Sequence, residues 1–437
     1  MITKISLSNF RGFEDEVSVR IRPITILIGR NSAGKSSLIK FLQMLRQTLE
    51  SQRDEFFVTD GRYVQLGDWV GLKNSNSRSR FFEFAVDLET SDIPAAAVRQ
   101  LWKAVSDRGV VIESGDQIRF ALDVSRESVS RVSLVANFNV NGRVRYTKEF
   151  KTGSHTVRGA IDEQQIFDKS AGNLESTGFL RFSRRTDSLN DLIESVAADQ
   201  FLDRLRYEFT SVRHLSPVRE ESLRTVQSGN PPPRDVGDRG EYAIPHLVRI
   251  FSDPSQSNKA DFVAQFASLV AEVDEISFRS RIASLSTQVK AQNQRTKAVS
   301  YLADFGFGVS QCLPIFIQAV MQDSHQLLIV EQPEAQLHPT AQLELGTFFA
   351  DLWTQREVPT IVETHSANVL LRLRHLVKGQ KFNSEDVSIA FFTVEEQAGR
   401  SVVAVKNLDI QGDGSLEKGL PMELFGADVI EAIEMGA

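Results

Sequence analysis

The chain has 437 residues, a formal net charge of −7 and a single cysteine. That length buries a large core in two or three lobes, and Cys312 alone excludes an intrachain disulfide or a Cys-x-x-Cys metal hook. The acidic balance argues against a surface that coats nucleic acid. With no charged-then-apolar leader and no apolar run of membrane length, the expectation is a soluble cytoplasmic protein with no membrane partner.

The opening residues alternate. Ile5 and Leu7, then Val17, Val19 and Ile21, fall on one face each, with Asn9-Phe10-Arg11-Gly12-Phe13 turning between them. The apolar run Ile24-Thr25-Ile26-Leu27-Ile28 reads as a buried strand. It leads into Gly29-Arg30-Asn31-Ser32-Ala33-Gly34-Lys35-Ser36, a full match to the phosphate-binding pattern G-x-x-x-x-G-K-[ST]. A helical pattern through Leu38, Ile39, Phe41, Leu42 and Leu45 follows, on which Gln43 and Gln47 read as simple polar positions. Strand, glycine loop and helix together aim backbone N–H groups and a helix dipole at one anion. Lys35 then reaches the β/γ-phosphates and the Ser36 hydroxyl holds Mg²⁺.

From about residue 80 to 165 the pattern is mostly β, with Phe82, Phe84 and Val86 alternating and Asn141-Gly142 marking a hairpin turn. Residues 187–285 read as mainly helical, with Phe262, Phe266, Leu269, Val270 and Val273 on helical spacing. The loop Ser228-Gly229-Asn230-Pro231-Pro232-Pro233 interrupts them. Residues 286–302 are polar and read as an exposed hairpin. The last third returns to α/β. Leu327 to Val330 is an apolar strand running into Glu331-Gln332-Pro333-Glu334, acids at the edge where ligands sit in parallel α/β sheets. Thr360-Ile361-Val362 runs into Glu363-Thr364-His365, and Gly306-Phe307-Gly308-Val309-Ser310-Gln311 opens an apolar helix.

This ordered set resembles the ABC-type ATPases of the SMC, RecF and OLD (overcoming-lysogenization-defect) kind, and Ile5 to Ser37 is similar to their opening segment. It is most similar to a bacterial branch with Glu-Gln-Pro-Glu in place of Asp-Glu-Pro-Glu and a C-terminal domain of unknown function around Leu408 to Phe425. The resemblance implies an α/β ABC-type P-loop ATPase head with an antiparallel β lobe and an inserted, mainly helical lobe. It also implies a domain plan: residues 1–80 as the head's Walker A part, 81–186 as the β lobe, 187–300 as the helical insertion and 301–437 as the rest of the head. The cofactors are ATP and Mg²⁺, with the nucleotide held by Gly29 through Ser37 and by Gln65 as the Q-loop glutamine. Gly308, Ser310 and Gln311 form the signature loop that contacts the γ-phosphate bound by a second copy, with Ser310 as the helix cap. His365 is the switch histidine. His338 reads equally as a loop residue between subunits or a helix-start histidine.

Glu331 stands where the family's Mg²⁺-associated Asp is found, and binds the metal directly or through water. Gln332 stands where the catalytic Glu is found, and an amide orients a water without taking its proton. Two readings follow: slow hydrolysis with ATP acting mainly as a dimer clamp, which is favoured, or assistance from Glu334 or His365. Three roles compete. The first is a sensor or regulatory subunit, a homodimer or higher homo-oligomer joined through its heads, that holds a separate nuclease or toxin effector in prokaryotic anti-phage defence. The second is a RecF-like ATPase that binds DNA. The third is a nearly inert nucleotide-gated scaffold.

Overall fold

The computed structural model describes residues 1–51, 57–79, 81–88, the backbone of seven strands between 116 and 183, and residues 206–227, 232–281, 286–397 and 399–417. In chain order come β1 (Ile2–Ser8), β2 (Val17–Arg20), β3 (Ile24–Gly29), α1 (Lys35–Glu50) and the one-turn α2 (Trp69–Leu72). Eight strands follow: β4 (Phe81–Leu88), β5 (Asp116–Asp123), β6 (Ser128–Asn139), β7 (Arg143–Lys151), β8 (Ser154–Ile161), β9 (Gln164–Ala171), β10 (Glu175–Gly178) and β11 (Arg181–Ser183). Then come β12 (Arg213–Leu215), β13 (Thr225–Gln227), α3 (Ala243–Ser252), α4 (Ser257–Ala271), β14 (Val273–Arg281), β15 (Ser286–Asn293) and β16 (Val299–Tyr301). The chain continues with α5 (Phe307–Met321), β17 (Leu328–Glu331), α6 (Pro339–Arg356), β18 (Thr360–Glu363), α7 (Ala367–Lys378), β19 (Val387–Gln397) and β20 (Arg400–Leu408). The Asn141-Gly142 turn, most of the triple-proline loop, residues 187–205 and the segment after 417 lie outside the described residues.

The chain divides into two compact units. The first comprises Met1–Ile21, Asn31–Ser211 and Phe392–Val405. Its antiparallel sheet has the order β2-β1-β4-β5-β6-β7-β8-β9. Each strand from β4 onward in this sheet pairs antiparallel with the next in sequence, and Asn139 stands opposite Arg143 across the hairpin expected there. The expected alternation of the opening strands is met: Ile5 pairs with Val19 and Leu7 with Val17. The inward faces of α1 and β4 meet in an aromatic cluster. Phe41 lies 5.0 Å from Phe84 and 5.5 Å from Phe10, ring to ring, and all three are buried. Each such ring contributes about 2 kcal/mol by leaving water. The turn after β1 holds Asn9 and Arg11 at positive φ. Asn74 pins it, donating from Nδ2 to the Arg11 carbonyl at 2.7 Å and from its backbone to Asn9 Oδ1 at 3.2 Å.

The second unit comprises Arg22–Arg30, Val212–Phe391 and Lys406–Ala437. Its centre is a run of parallel strands, β12-β17-β18-β3, in a sheet whose order continues to β19 and β20. β17, β18 and β3 are mostly apolar and buried, as strands covered on both faces are. Phe262, Phe266, Phe316 and Phe348, from α4, α5 and α6, form one ring cluster at 4.8–6.2 Å spacings.

Two expectations for the insertion are corrected. Val273 does not extend the helix. α4 stops at Ala271, Glu272 takes a left-handed conformation (φ 53°), and Val273 opens β14. A register shift between Val273 and Ile276 breaks the period-two pattern that would have marked this strand. The polar stretch after residue 286 is not an exposed hairpin throughout. Val289 and Ala291 of β15 are fully buried, and the polar residues between them mask the alternation. Among the described residues no helix is long and apolar enough to cross a membrane.

Candidate nucleotide site

The glycine loop begins at the end of β3. Its strained positions are Gly29 (φ 143°), Ser32 (φ 63°) and Gly34 (φ 98°), and α1 starts at Lys35 with no side-chain cap and no acid in its first turn. That leaves the positive helix end for an anion. Gly34 also meets a wall, since a Cβ there would lie 2.5 Å from Cε1 of the buried Phe13. Arg30, Asn31 and Ser32 are exposed, Ala33 is buried, and Ser36 and Ser37 are half-buried. Lys35 is only 3 % exposed. Ser37 N–H donates to the Gly34 carbonyl at 2.9 Å and closes the first turn.

The acidic residues gather in the second unit. Strand register places Glu331 beside Glu363 and Glu363 beside Leu27, so the loops after β17, β18 and β3 leave the sheet at one carboxyl edge. Glu331 is held twice. Its Oε1 meets His214 Nε2 at 2.7 Å, and its carbonyl accepts a hydrogen bond from Arg219 Nη2. Behind His214, Nδ1 faces Asp238 Oδ1 at 3.6 Å. Burial alone would lower the imidazole pKa, but the hydrogen bonds and charges of Asp238 and Glu331 win and hold it above its ordinary value.

Arg219 is held by main-chain hydrogen bonds rather than by a carboxylate. It is buried, donates from Nη1 to the Gln311 carbonyl at 3.1 Å, and is bracketed by the Gln311 amide, which accepts from Arg219 N–H and donates to its carbonyl. Burial brings its pKa down to about 10, partly offset by Cys312, Glu334 and Glu331, so it keeps its charge at neutral pH.

Gln332 sits at φ 44°, with its N–H on the Glu363 carbonyl at 2.7 Å. Glu334 Oε1 accepts the His365 N–H at 2.8 Å. Its Oε2 is buried and has no hydrogen-bond partner among the described residues. The His365 side chain is exposed at the same edge. The next residue, Ser366, caps α7 by accepting from Asn368 N–H.

The signature-loop candidates divide. Gly308 lies in close contact: a Cβ there would stand 3.0 Å from Leu337 Cδ2 and 3.2 Å from the Gln336 carbonyl. Ser310 is not the helix cap, because α5 starts at Phe307 with Gly306 as the cap residue. Its hydroxyl is buried and accepts from Ser222 N–H at 3.0 Å. Gln311 is buried on Arg219. What faces outward at this helix end is Gly306 and Phe307, the latter 46 % exposed.

In the first unit, Gln65 is exposed in a turn bridged to Asp60. Gln47 is more than the simple polar position it resembles in the sequence. It is buried, donates from Nε2 to the Val58 and Val64 carbonyls, and accepts at Oε1 from Val64 N–H at 3.1 Å. His338 caps α6, accepting at Nδ1 from Thr340 N–H.

His214 and Asp238 carry no motif of their own. The segments Leu215-Ser216-Pro217-Val218-Arg219 and Val236-Gly237-Asp238-Arg239-Gly240-Glu241 run side by side: Ser216 N–H donates to the Asp238 carbonyl and Glu220 N–H to the Arg239 carbonyl, both at 2.8 Å.

Among the described residues no group of three or more His, Cys, Asp or Glu could hold a metal ion. Mg²⁺ that arrives with a nucleotide needs only one or two carboxylates beside phosphates and waters. Glu331 would offer one such carboxylate, with Oε1 on His214.

Several known proteins are similar to this chain. Among solved structures, the "SMC head domain from Thermotoga maritima" is 9 % identical, covers 93 % of this chain and 98 % of its own, and gives a TM-score of 0.40. The SMC head bound to the C-terminal winged-helix domain of ScpA is 11 % identical, covers 94 % and 98 %, and gives 0.42. An SMC head with an extended coiled coil bound to the C-terminal domain of ScpA, from Pyrococcus furiosus, is 11 % identical, covers 99 % of each chain, and gives 0.40. No curated protein matches. Residues 1–94 match the family described as "AAA ATPase domain". Residues 96–372, more than half of the chain, match the one described as "AAA domain, putative AbiEii toxin, Type IV TA system", and the chain belongs to this family of P-loop AAA ATPases.

Proposed function

We propose that this ATPase turns over slowly and uses ATP–Mg²⁺ chiefly to clamp two copies head to head, as the regulatory subunit of a separate effector. One observation supports slow turnover above the others. At the carboxyl edge the residue after Glu331 is an amide, Gln332, and the next carboxylate along the chain, Glu334, has one oxygen engaged by the His365 N–H. Glu331 itself is tied to His214. An attacking water is therefore oriented by Gln332 without a strong, free base to take its proton.

The chain's own residues supply the rest. The loop N–H groups and Lys35 hold the phosphates, Ser36 and Glu331 hold the metal, and His365 stands at the edge where the γ-phosphate ends. Bound Mg²⁺ neutralises charge on the phosphate oxygens. The exposed end of α5 at Gly306 and Phe307 is the surface a second copy's nucleotide would meet, through backbone N–H groups rather than Ser310 or Gln311. An effector such as a nuclease or toxin, in anti-phage defence, suits a family whose description names a putative toxin of a toxin–antitoxin system.

The test is phosphate release together with mass in solution. Turnover well below the median enzyme rate of about 10 per second, and a doubling of mass with ATP–Mg²⁺ that Lys35→Ala abolishes, are expected. Gln332→Glu should raise turnover about a hundredfold, the low end of what general-base catalysis supplies. A monomer in every nucleotide state rules out the clamp, and fast turnover of the unaltered protein rules out slow hydrolysis.

A further inference from the structure

We propose that His214 is a positioning residue for the Walker B carboxylate: it fixes Glu331 so that a side chain one methylene longer than aspartate presents a single oxygen toward the nucleotide's metal. This rests on the ATP–Mg²⁺ reading above.

The argument begins with strand register. β12 lies parallel to β17, with His214 beside Ile329. Residues two apart on a strand share a face. Glu331 is therefore the diagonal neighbour of His214 on that face, and the imidazole reaches it at 2.7 Å. A glutamate has one more rotatable bond than an aspartate, and an unrestrained carboxylate loses that freedom whenever it is held toward a metal. Here one contact on the carboxylate restrains it beforehand, and two others hold the groups on either side. His214 Nε2 fixes Oε1, Arg219 Nη2 fixes the main-chain carbonyl, and Asp238 stands behind His214 Nδ1. A carboxylate–histidine–carboxylate chain of this kind orients a metal ligand through a hydrogen bond and leaves the remaining oxygen free of that contact.

Asp238 is itself set by backbone, since the Asp238 and Arg239 carbonyls accept from Ser216 and Glu220. The arrangement gives the 213–241 segment a task that its sequence does not announce. It explains why a buried histidine sits between two acids, where a purely structural position would be filled at lower cost by an apolar side chain.

The test is a titration with a fluorescent ATP analogue, first in EDTA and then with rising Mg²⁺, reading the Mg²⁺ concentration at half-effect. In His214→Ala, affinity in EDTA stays within about twofold while the Mg²⁺ half-point rises about tenfold, the usual loss when such a supporting hydrogen bond is removed. His214→Gln, whose amide still donates to Glu331, returns the half-point to within about threefold of the unaltered protein. Asp238→Asn shifts it in the same direction by a smaller factor.

An unmoved half-point in His214→Ala overturns the proposal. So does an equal loss with and without Mg²⁺, or a glutamine variant no better than alanine. If His214→Ala does not fold, the half-point of Asp238→Asn decides, because that side chain is partly exposed and its removal leaves the core filled. Absence of ATP binding by the unaltered protein in EDTA would instead remove the functional reading on which this inference rests.

Discussion

The glycine loop and the acidic edge are built in opposite ways. Gly29 to Ser36 is contiguous, and its function lies in backbone N–H groups, a helix end and two glycine conformations. The edge at Glu331 is assembled from remote pieces: His214 stands 117 positions away in sequence and Arg219 112. A backbone-built site tolerates changes of side chain except where geometry forbids one. A side-chain network tolerates little, since each removal leaves a buried partner unsatisfied.

Three substitutions separate the two designs. Gly34→Val should have the largest effect. It places a β-branched side chain at φ 98° and within contact of buried Phe13, a loss of about 3–5 kcal/mol when left-handed strain and overpacking are combined. ATP binding, read by titration, should disappear. Retained binding would show that the loop adapts and that its backbone is less demanding than described.

Arg219→Ala comes next. It strips donors from the Glu331 and Gln311 carbonyls and leaves a buried gap, and chemical denaturation should register about 2–4 kcal/mol. Nucleotide affinity in EDTA should change less than stability does, in contrast to Gly34→Val. If the two variants lose binding and stability in the same proportion, the distinction between the regions fails.

Gln47→Leu is the smallest of the three. It keeps the bulk on α1 but releases the Val58 to Val64 loop that carries up to Gln65, for about 1–3 kcal/mol. Proteolysis should cut that loop faster while the melting of the second unit's helices stays near its original temperature. Unchanged cleavage would mean that Gln47 is as incidental as its sequence position suggests.

Much of the fold was legible. Leu38, Ile39, Phe41, Leu42 and Leu45 gave α1, the alternation of Phe82, Phe84 and Val86 gave β4, and apolar runs ending in acids gave β17 and β18. β14 escaped because its register shift broke the alternation, and the buried face of β15 escaped because Gln288, Lys290 and Gln292 surround Val289 and Ala291. In the site, Lys35, Glu331 and His365 were named from local pattern. Ser310 was given the wrong position in its helix, since a serine in a glycine-rich stretch reads as a cap wherever the first turn begins; the helix starts three residues earlier.

The sequence alone determined that a phosphate-binding loop joins β3 to α1, because every atom of that device lies within eight consecutive residues. It also determined the amide at Gln332. Only the tertiary structure decided what surrounds Glu331. Parallel strands bring residues together by register rather than by sequence distance, so β12 had to lie against β17 before His214 could meet its acid. Burial then decided the roles of Arg219 and Gln311: away from water, a guanidinium and an amide need partners, and each side chain bonds the other residue's main chain.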